Sequence, residues 1–208
     1  MTTAPNTVRR AFAWFAVAMS ALAPAAALAQ EAPDALVKRV SQDVLAIVKA
    51  DAKVQAGDQA RIREVIEVKL LPYFDFHRMT ALAMGRNWAK AAPDQQKKLA
   101  DEFRSLLVRT YSGALVQYRN QTIDYKPLRA EAGATDVTVR TEVVRPGQAP
   151  VQIDYSLARA ADGWKAYDVI VGGVSLVTNY RDEFNEQVRQ GGVDGLLAAL
   201  AARNKGGK

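Results

Sequence analysis

The side chains that could perform catalysis are few in this sequence. The chain has 208 residues, with no cysteine and a single histidine, His77. The absence of cysteine excludes disulfides, thiolate nucleophiles and cysteine-ligated zinc, and one imidazole excludes any site that needs two. Asp75 lies two residues before His77, but this pair alone is a poor metal site. Neither a G-x-S-x-G elbow nor a phosphate-binding glycine loop is present, so we expect no metal and no cofactor.

Tyr167 and Asp168 are the neighbouring pair that could act as a base and a hydrogen-bond donor. The strand predicted around them is otherwise apolar, and burial in such a setting raises the pKa of a carboxyl group. Small α+β cones with a buried aspartate and a tyrosine support isomerase chemistry. Two interpretations therefore remain open. Asp168 could be a general base, or it could be a structural carboxylate whose hydrogen bonds are satisfied, which is the more common case.

The first 29 residues have the pattern of a secretory signal peptide. Two arginines and no acid precede an apolar run from Ala11 to Ala23, and an A-x-A motif ends at Ala29. The run is shorter than the roughly 20 residues that a membrane-spanning helix needs. We therefore predict export to the bacterial periplasm or outside the cell, with cleavage after Ala29. An exported protein rarely meets nucleic acid, so we interpret the net charge of +6 as a surface for anionic lipid or an acidic partner, or as simple solubilising charge.

Hydrophobic periodicity divides the rest of the chain into helices, then strands, then helices. Apolar residues first recur every three or four positions, and the longest such stripe begins at Ala92-Pro93-Asp94, where proline is tolerated in a first helical turn. The period then changes to two, which predicts four strands. We therefore predict one α+β domain in which a curved, mainly antiparallel sheet packs against several helices. The predicted boundaries are 30–203 for the domain, 33–119 for its helical part, 121–172 for the sheet, 175–203 for the C-terminal helices, and 204–208 for a disordered tail.

Turn and capping residues mark the predicted boundaries inside this domain. Asp58 precedes an amphipathic segment and is predicted to cap its helix. Gly172-Gly173 follows the last predicted strand and is interpreted as a strand-to-helix junction. Gly191-Gly192 is predicted to end a helix.

The last predicted strand, Trp164 to Val171, carries apolar residues on both faces. Either both faces are covered by other elements, or one face lines a cavity. The residues alone favour a solid core over a cavity.

A longer pattern around this strand resembles a known family. The run WKAYDVIVGGVSLV, residues 164–177, is similar to the W-x-x-Y-D-x-x-x-x-G-V-S-L/M-I/V run of the MlaC/toluene-tolerance (Ttg2-type) family. Tyr180-Arg181-x-x-Phe184 and the GVDGL run at 192–196 continue the match, and WAKAAPDQ at 88–95 resembles the start of the family's long helix. The resemblance covers the chain from Pro72 to Leu200.

The resemblance implies a soluble periplasmic phospholipid carrier with a cystatin/NTF2-like curved sheet that encloses the acyl chains. Its implied partners are a phospholipid, an inner-membrane ABC transporter complex and an outer-membrane lipoprotein/porin complex, docked transiently to maintain outer-membrane lipid asymmetry. No enzyme activity and no nucleic acid are implied, and a monomer is expected. Two alternatives stay open: a small periplasmic enzyme that uses Asp168 and Tyr167, and an adaptor that never holds a ligand.

A carrier of this kind needs an apolar wall rather than a reactive group. Each acyl methylene contributes about 0.8 kcal/mol when it leaves water, so a sixteen-carbon chain contributes on the order of 12 kcal/mol. We predict that the cavity is lined from the long helix, from the strands and, at one end, from the segment after Gly173. These predicted residues are Phe103, Leu106, Leu107, Tyr111 and Leu115, then Val139, Val151, Ile153, Tyr155, Tyr167, Val169 and Val171, and finally Leu176 and Val177.

Overall fold

The computed structural model describes residues 30–116 and 121–206, except for the side chains of residues 115 and 116. The predicted signal peptide lies outside the described residues. None of the helices in the described part of the chain has the length and apolar character needed to cross a membrane.

Six α-helices and five strands form the described structure. The helices are α1 (Pro33–Ala50), α2 (Ala52–Gln55), α3 (Gln59–Lys69), α4 (Phe76–Met84), α5 (Pro93–Val116) and α6 (Arg181–Lys205). The strands are β1 (Thr122–Tyr125), β2 (Asp136–Val144), β3 (Val151–Ala160), β4 (Gly163–Val171) and β5 (Val174–Ser175). Short 3₁₀ helices lie at Leu71–Tyr73, Gly85–Lys90 and Thr178–Tyr180.

Aspartates cap three of the N-terminal helices. The Asp58 carboxylate accepts hydrogen bonds from two backbone N–H groups at the start of α3, which confirms the predicted cap. Asp51 caps α2 in the same way, and the Asp75 side chain accepts from one backbone N–H, that of Arg78, at the start of α4. Such caps satisfy N–H groups that have no partner within the helix, and each contributes about 1 kcal/mol.

The sheet is an antiparallel meander in the order β1-β2-β3-β4-β5. The α+β class and the mainly antiparallel sheet are therefore confirmed. The interpretation of Gly172-Gly173 as the end of the sheet is wrong, because β5 follows it and pairs with β4 through Val171 and Val174. The two glycines have φ values of 56° and 85°, and positive φ at both central positions is what a two-residue hairpin turn requires.

A β-bulge changes the phase of β4. Leu157 pairs with Ala166, whereas the preceding residue, Ser156, pairs with Asp168, so Tyr167 is the extra residue. Because paired residues lie on the same face, Ala166 and Val169 face the same way, although a regular strand would place them on opposite faces. The apparent presence of apolar residues on both faces of β4 thus arises largely from this shift.

The buried side chains form three clusters. The helical cluster joins α4, α5 and α6 around the fully buried Phe103 and Phe184. The sheet cluster packs α1 against β2, β3 and β4. The N-terminal cluster joins α1, α2 and α3.

The last helix contains a kink where two helices were predicted. Gly192 has φ 66° and ψ −166° inside α6, so the predicted end at Gly191-Gly192 corresponds to this kink. The helix continues through Lys205, past the predicted boundary at Arg203. The side-chain amide of Asn204 donates hydrogen bonds to the backbone carbonyl and the carboxylate of Glu102, which holds this end of α6 against α5.

Candidate functional site

A cavity of about 230 Å³ lies where the three clusters meet. Leu70 packs against the N-terminal and sheet clusters, and Phe74 packs against the sheet and helical clusters. The cavity walls are almost entirely apolar, with Ser112 and the Tyr111 hydroxyl as their polar side-chain groups. The lining residues are Ile66, Leu70, Leu71, Phe74, Phe76, Met79, Leu107, Val108, Tyr111, Ser112, Ala114, Val169 and Leu176.

Three parts of the chain build these walls. The first runs from the end of α3 through the 3₁₀ helix into α4 and supplies the residues between Ile66 and Met79. The second is the C-terminal half of α5, whose lining residues lie on one face because they follow one another at helical spacing. The third is the edge of the sheet, where the Leu176 N–H donates a 2.8 Å hydrogen bond to the Val169 carbonyl.

The bulge in β4 places Val169 in the wall. In a regular strand without the bulge at Tyr167, Val169 would lie on the opposite face from Ala166 and the sheet cluster. The insertion therefore turns the second half of β4 toward the cavity. This re-aiming of a side chain is a common role of bulges near functional sites.

Four of the predicted lining residues contact the cavity: Leu107, Tyr111, Val169 and Leu176. The others lie elsewhere among the described residues. Phe103, Leu106 and Val177 are in the helical cluster and Tyr167 packs against it, while Val139 is in the sheet cluster with Tyr155 against it. Ile153 is buried in β3, and Val151 and Val171 are half-buried. Leu115 belongs to α5, but its side chain is outside the description. For all fourteen residues, contact with a lipid stays a prediction.

Sequence reasoning missed the wall between α3 and α4. Four of its residues lie in a stretch that had a visible sign, because Leu70 to Phe76 contains five apolar or aromatic residues around Pro72. That is more than one helix face can bury. The additional lining residues are Ile66, Leu70, Leu71, Phe74, Phe76, Met79, Val108, Ser112 and Ala114.

The two polar groups in the wall are engaged with the protein. Burial raises the pKa of Tyr111 to about 12, and Tyr180, with which Tyr111 shares a side-chain hydrogen bond, adds to the rise. The Tyr111 ring is therefore left to line the cavity. Ser112 is buried, and its hydroxyl donates a long 3.5 Å hydrogen bond to the carbonyl of Arg109.

Asp168 lies outside the cavity and has a structural set of contacts. Its Oδ1 atom accepts hydrogen bonds from the Val169 N–H and the Ser175 hydroxyl, both at 2.8 Å. Ser175 Oγ in turn accepts from the N–H groups of Val177 and Thr178. Burial raises the pKa of Asp168, and its hydrogen bonds oppose the rise. The carboxylate thus organises the connection from β5 into the next 3₁₀ helix.

Tyr167 is committed to a different contact. Its hydroxyl donates a 2.5 Å hydrogen bond to Asp136 Oδ1, and the Arg78 guanidinium lies 3.6 Å from the centre of its ring. Arg78 also donates to Asp136 Oδ2 at 2.6 Å. Neither member of the Tyr167-Asp168 pair lines the cavity, so the geometry does not assemble the acid–base site that the sequence left open. Within the described residues, no group of three His, Cys, Asp or Glu side chains could hold a metal ion.

The fold and this site define a class of small α+β proteins in which an open antiparallel sheet and several helices surround an apolar cavity. The sequence model of the family described as MlaC protein matches residues 38–202. The chain belongs to the MlaC family.

Relatives and a solved structure agree with this assignment. The chain is 25% identical over 172 residues to the toluene tolerance protein ttg2D of Pseudomonas putida, covering 82% of this chain and 80% of that protein. It is 21% identical over 177 residues to the intermembrane phospholipid transport system binding protein MlaC of Haemophilus influenzae, covering 84% and 83%. A solved phospholipid-binding protein from Ralstonia solanacearum, in complex with a phospholipid, is 43% identical with a TM-score of 0.77. That match covers 83% of this chain and 96% of the other.

Proposed function

We propose that this protein is a periplasmic phospholipid carrier. It takes acyl chain into the cavity and moves lipid between an outer-membrane lipoprotein/porin complex and an inner-membrane ABC transporter complex, which maintains outer-membrane lipid asymmetry. Removal of the first 29 residues on export places it in the periplasm. The family, the curated relatives and the phospholipid complex of the Ralstonia solanacearum protein support this role.

The observation that carries the proposal is the apolar cavity. A wall built from leucine, isoleucine, valine, methionine and phenylalanine side chains recovers the free energy of moving methylenes out of water, about 0.8 kcal/mol each. It offers no unpaired acid, base or nucleophile to a bound molecule. Such a site suits the hydrocarbon part of a lipid and has no evident use for a polar metabolite.

The size of the cavity adds a requirement for loading. Sites for drug-sized ligands occupy roughly 300–1,000 Å³, and the cavity here has about 230 Å³. A phospholipid with two acyl chains is larger than a drug-sized molecule, so the cavity walls must separate when the lipid enters. The walls can separate along the line where the three clusters meet, because each cluster keeps its internal contacts when the clusters move apart.

Mass spectrometry of the full chain, expressed with its N-terminal segment and purified from the periplasm without detergent, tests the proposal. We expect a phospholipid in near-equal amount to the protein. Leu176→Glu should abolish the co-purified lipid, because it places a charge in the cavity wall. Val174→Glu is the matched control, since Val174 is 56% exposed on the same short segment.

Two results would contradict the proposal. In the first, wild-type protein carries no extractable lipid and takes none from phospholipid vesicles. That result would favour the interpretation of the protein as an adaptor that never holds a ligand. Equal loss of lipid in both glutamate variants would show that the cavity is not the binding site. The shuttle is tested separately, by transfer of labelled phospholipid from loaded protein to proteoliposomes that contain the ABC transporter complex.

A further inference from the structure

Arg104 lies at one end of the cavity. It belongs to α5, and the lining residues Leu107, Val108 and Tyr111 follow it by three, four and seven positions, so all four share one helix face. Helical side chains lean toward the N-terminus of their helix, which carries the guanidinium beyond the lined part of α5. There it lies 6.0 Å from the centre of the ring of Phe76, itself a lining residue.

Arg104 forms no ion pair within the described residues. The nearest acid before it on α5, Glu102, accepts a 2.6 Å hydrogen bond from the Asn204 side-chain amide. Asp101, three residues before Arg104, is paired with Lys97 at 2.8 Å. Arg78, the arginine beside the same wall on α4, is neutralised by Asp136 at 2.6 Å. Among the described residues, the guanidinium is thus a cation without a carboxylate partner at the edge of an apolar cavity.

Water reaches this end of the cavity. Both Arg104 and Phe76 are partly exposed, as are most of the lining residues, whereas Met79 and Leu107 are buried. The lining residue toward the other end of the α5 wall, Ala114, is exposed but apolar, so Arg104 differs from it in carrying a charge. A bound lipid places its hydrocarbon in the dry part of a site and its headgroup where water and cations are available. From the buried, apolar Leu107 to the partly exposed, charged Arg104, the wall therefore matches a lipid whose acyl chain lies beside Leu107 and whose phosphate lies at Arg104.

We propose that the Arg104 guanidinium binds the phosphate of the lipid whose acyl chain occupies the cavity. This inference rests on the proposed function. A guanidinium presents a planar set of N–H donors that matches two oxygens of a phosphodiester. Because the contact is with the phosphate at the solvent edge, the rest of the headgroup extends into water. Arg104 thus selects lipids that have a phosphate and does not distinguish among headgroup alcohols.

The test compares two lipids that share the phosphate but differ in the headgroup alcohol with one lipid that lacks the phosphate. Phosphatidylglycerol, phosphatidylethanolamine and diacylglycerol with the same fluorescent acyl chain are titrated against delipidated wild type and against Arg104→Gln. We expect the Kd of both phospholipids to rise about tenfold in the variant, the size of one charge-assisted contact at a hydrated site, and the Kd for diacylglycerol to change less than twofold. Arg104→Lys should fall between the two. Arg86→Gln is the control, since Arg86 is exposed and does not line the cavity.

The remaining outcomes overturn the inference in distinguishable ways. Equal weakening for diacylglycerol and phospholipid would make Arg104 a packing residue over Phe76, and unchanged Kd values would remove it from the site. Saturable binding of inorganic phosphate at millimolar concentration to the delipidated protein, lost in Arg104→Gln, would identify a free-anion site instead. Wild-type protein that binds none of the three lipids would refute the proposed function and this inference together.

Discussion

A glutamate at position 169 should make lipid binding depend on pH. Val169 lines the cavity from the second half of β4, and Val169→Glu places a carboxyl group against the acyl chain. An ionised carboxylate is not tolerated beside hydrocarbon without a partner, so the lipid-bound form must carry the neutral acid. Binding lipid therefore raises the pKa of the introduced carboxyl, and binding strengthens as the pH falls.

The magnitude follows from the cost of protonation. An unperturbed glutamate has a pKa of about 4.3, so holding it neutral at about pH 7 costs about 3.7 kcal/mol, or roughly 500-fold in affinity. At about pH 5 the same cost is about 1 kcal/mol, or roughly sixfold. These are maximum values, because any rise of the pKa in the lipid-free protein lowers the difference. We expect most of the lost affinity to return between the two pH values.

Titration with an acyl-labelled phospholipid at both pH values measures this effect. Val169→Gln is the first control, since it adds polarity without a titrating group and should weaken binding equally at both. Val68→Glu is the second, because Val68 is 60% exposed on α3 and does not line the cavity. The reasoning is refuted if Val169→Glu binds as wild type at neutral pH. It is refuted equally if the loss is the same at both pH values while the thermal melting temperature stays at the wild-type value.

Two further predictions concern stability. Burial raises the pKa of Asp168 above its ordinary 3.8. The contribution of this carboxyl group to stability is therefore fully present below pH 3.8 and is lost as the pH rises through the raised pKa. Urea unfolding over that pH window should show wild type losing stability relative to Asp168→Asn, and lipid loading should be unchanged in the variant. Loss of lipid in Asp168→Asn would contradict the structural assignment. Gly173→Ala should lower the free energy of unfolding by about 1 kcal/mol because φ is +85°. Gly113→Ala on α5, where nothing lies within 4 Å, should raise it by about 0.5–1 kcal/mol, and equal effects would refute the backbone argument.

The elements of this fold could be predicted where local pattern decides them. Helical spacing placed the start of the helical part at residue 33, where α1 begins, and the start of the longest helix at Ala92-Pro93-Asp94, where α5 begins. Alternation placed β2, β3 and β4. These segments depend on residues close together in the chain, so periodicity and capping suffice. The short β5 escaped because a strand of two residues has no period to detect.

The cavity could be predicted only in part because it depends on contacts between distant segments. Helical spacing on α5 correctly brought Leu107 and Tyr111 to the wall, but it could not separate them from Phe103 and Leu106, which the helical cluster buries. The strand residue that does line the cavity, Val169, is aimed there by the bulge at Tyr167. Neither the bulge nor the meeting of three clusters leaves a mark in the local hydrophobic pattern.

The strength of the contacts around the cavity indicates which wall moves when lipid enters. The helical cluster holds Phe103 and Phe184 with no exposure, and losing such packing costs about 3–5 kcal/mol for each ring. The segment before α4 is tied to the sheet more weakly. The Asp75 N–H donates to the Ala166 carbonyl at 2.9 Å, and Lys165 Nζ donates to the Pro72 carbonyl at 2.7 Å.

Each of those hydrogen bonds contributes about 0.5–1.5 kcal/mol, and the exposed ion pair of Arg78 with Asp136 contributes up to about 1 kcal/mol. The packing of the partly buried Leu70, Tyr73 and Phe74 against the sheet cluster adds to these ties. Together they oppose the order of 12 kcal/mol that one sixteen-carbon chain contributes on burial. We expect an acyl chain to separate the segment between α3 and α4 from β4, because the side chains that pack this segment on the sheet are only partly buried. Opening through the helical cluster would also expose its aromatic core. The same weak ties let the wall close again after the lipid leaves, so loading and release use one reversible movement.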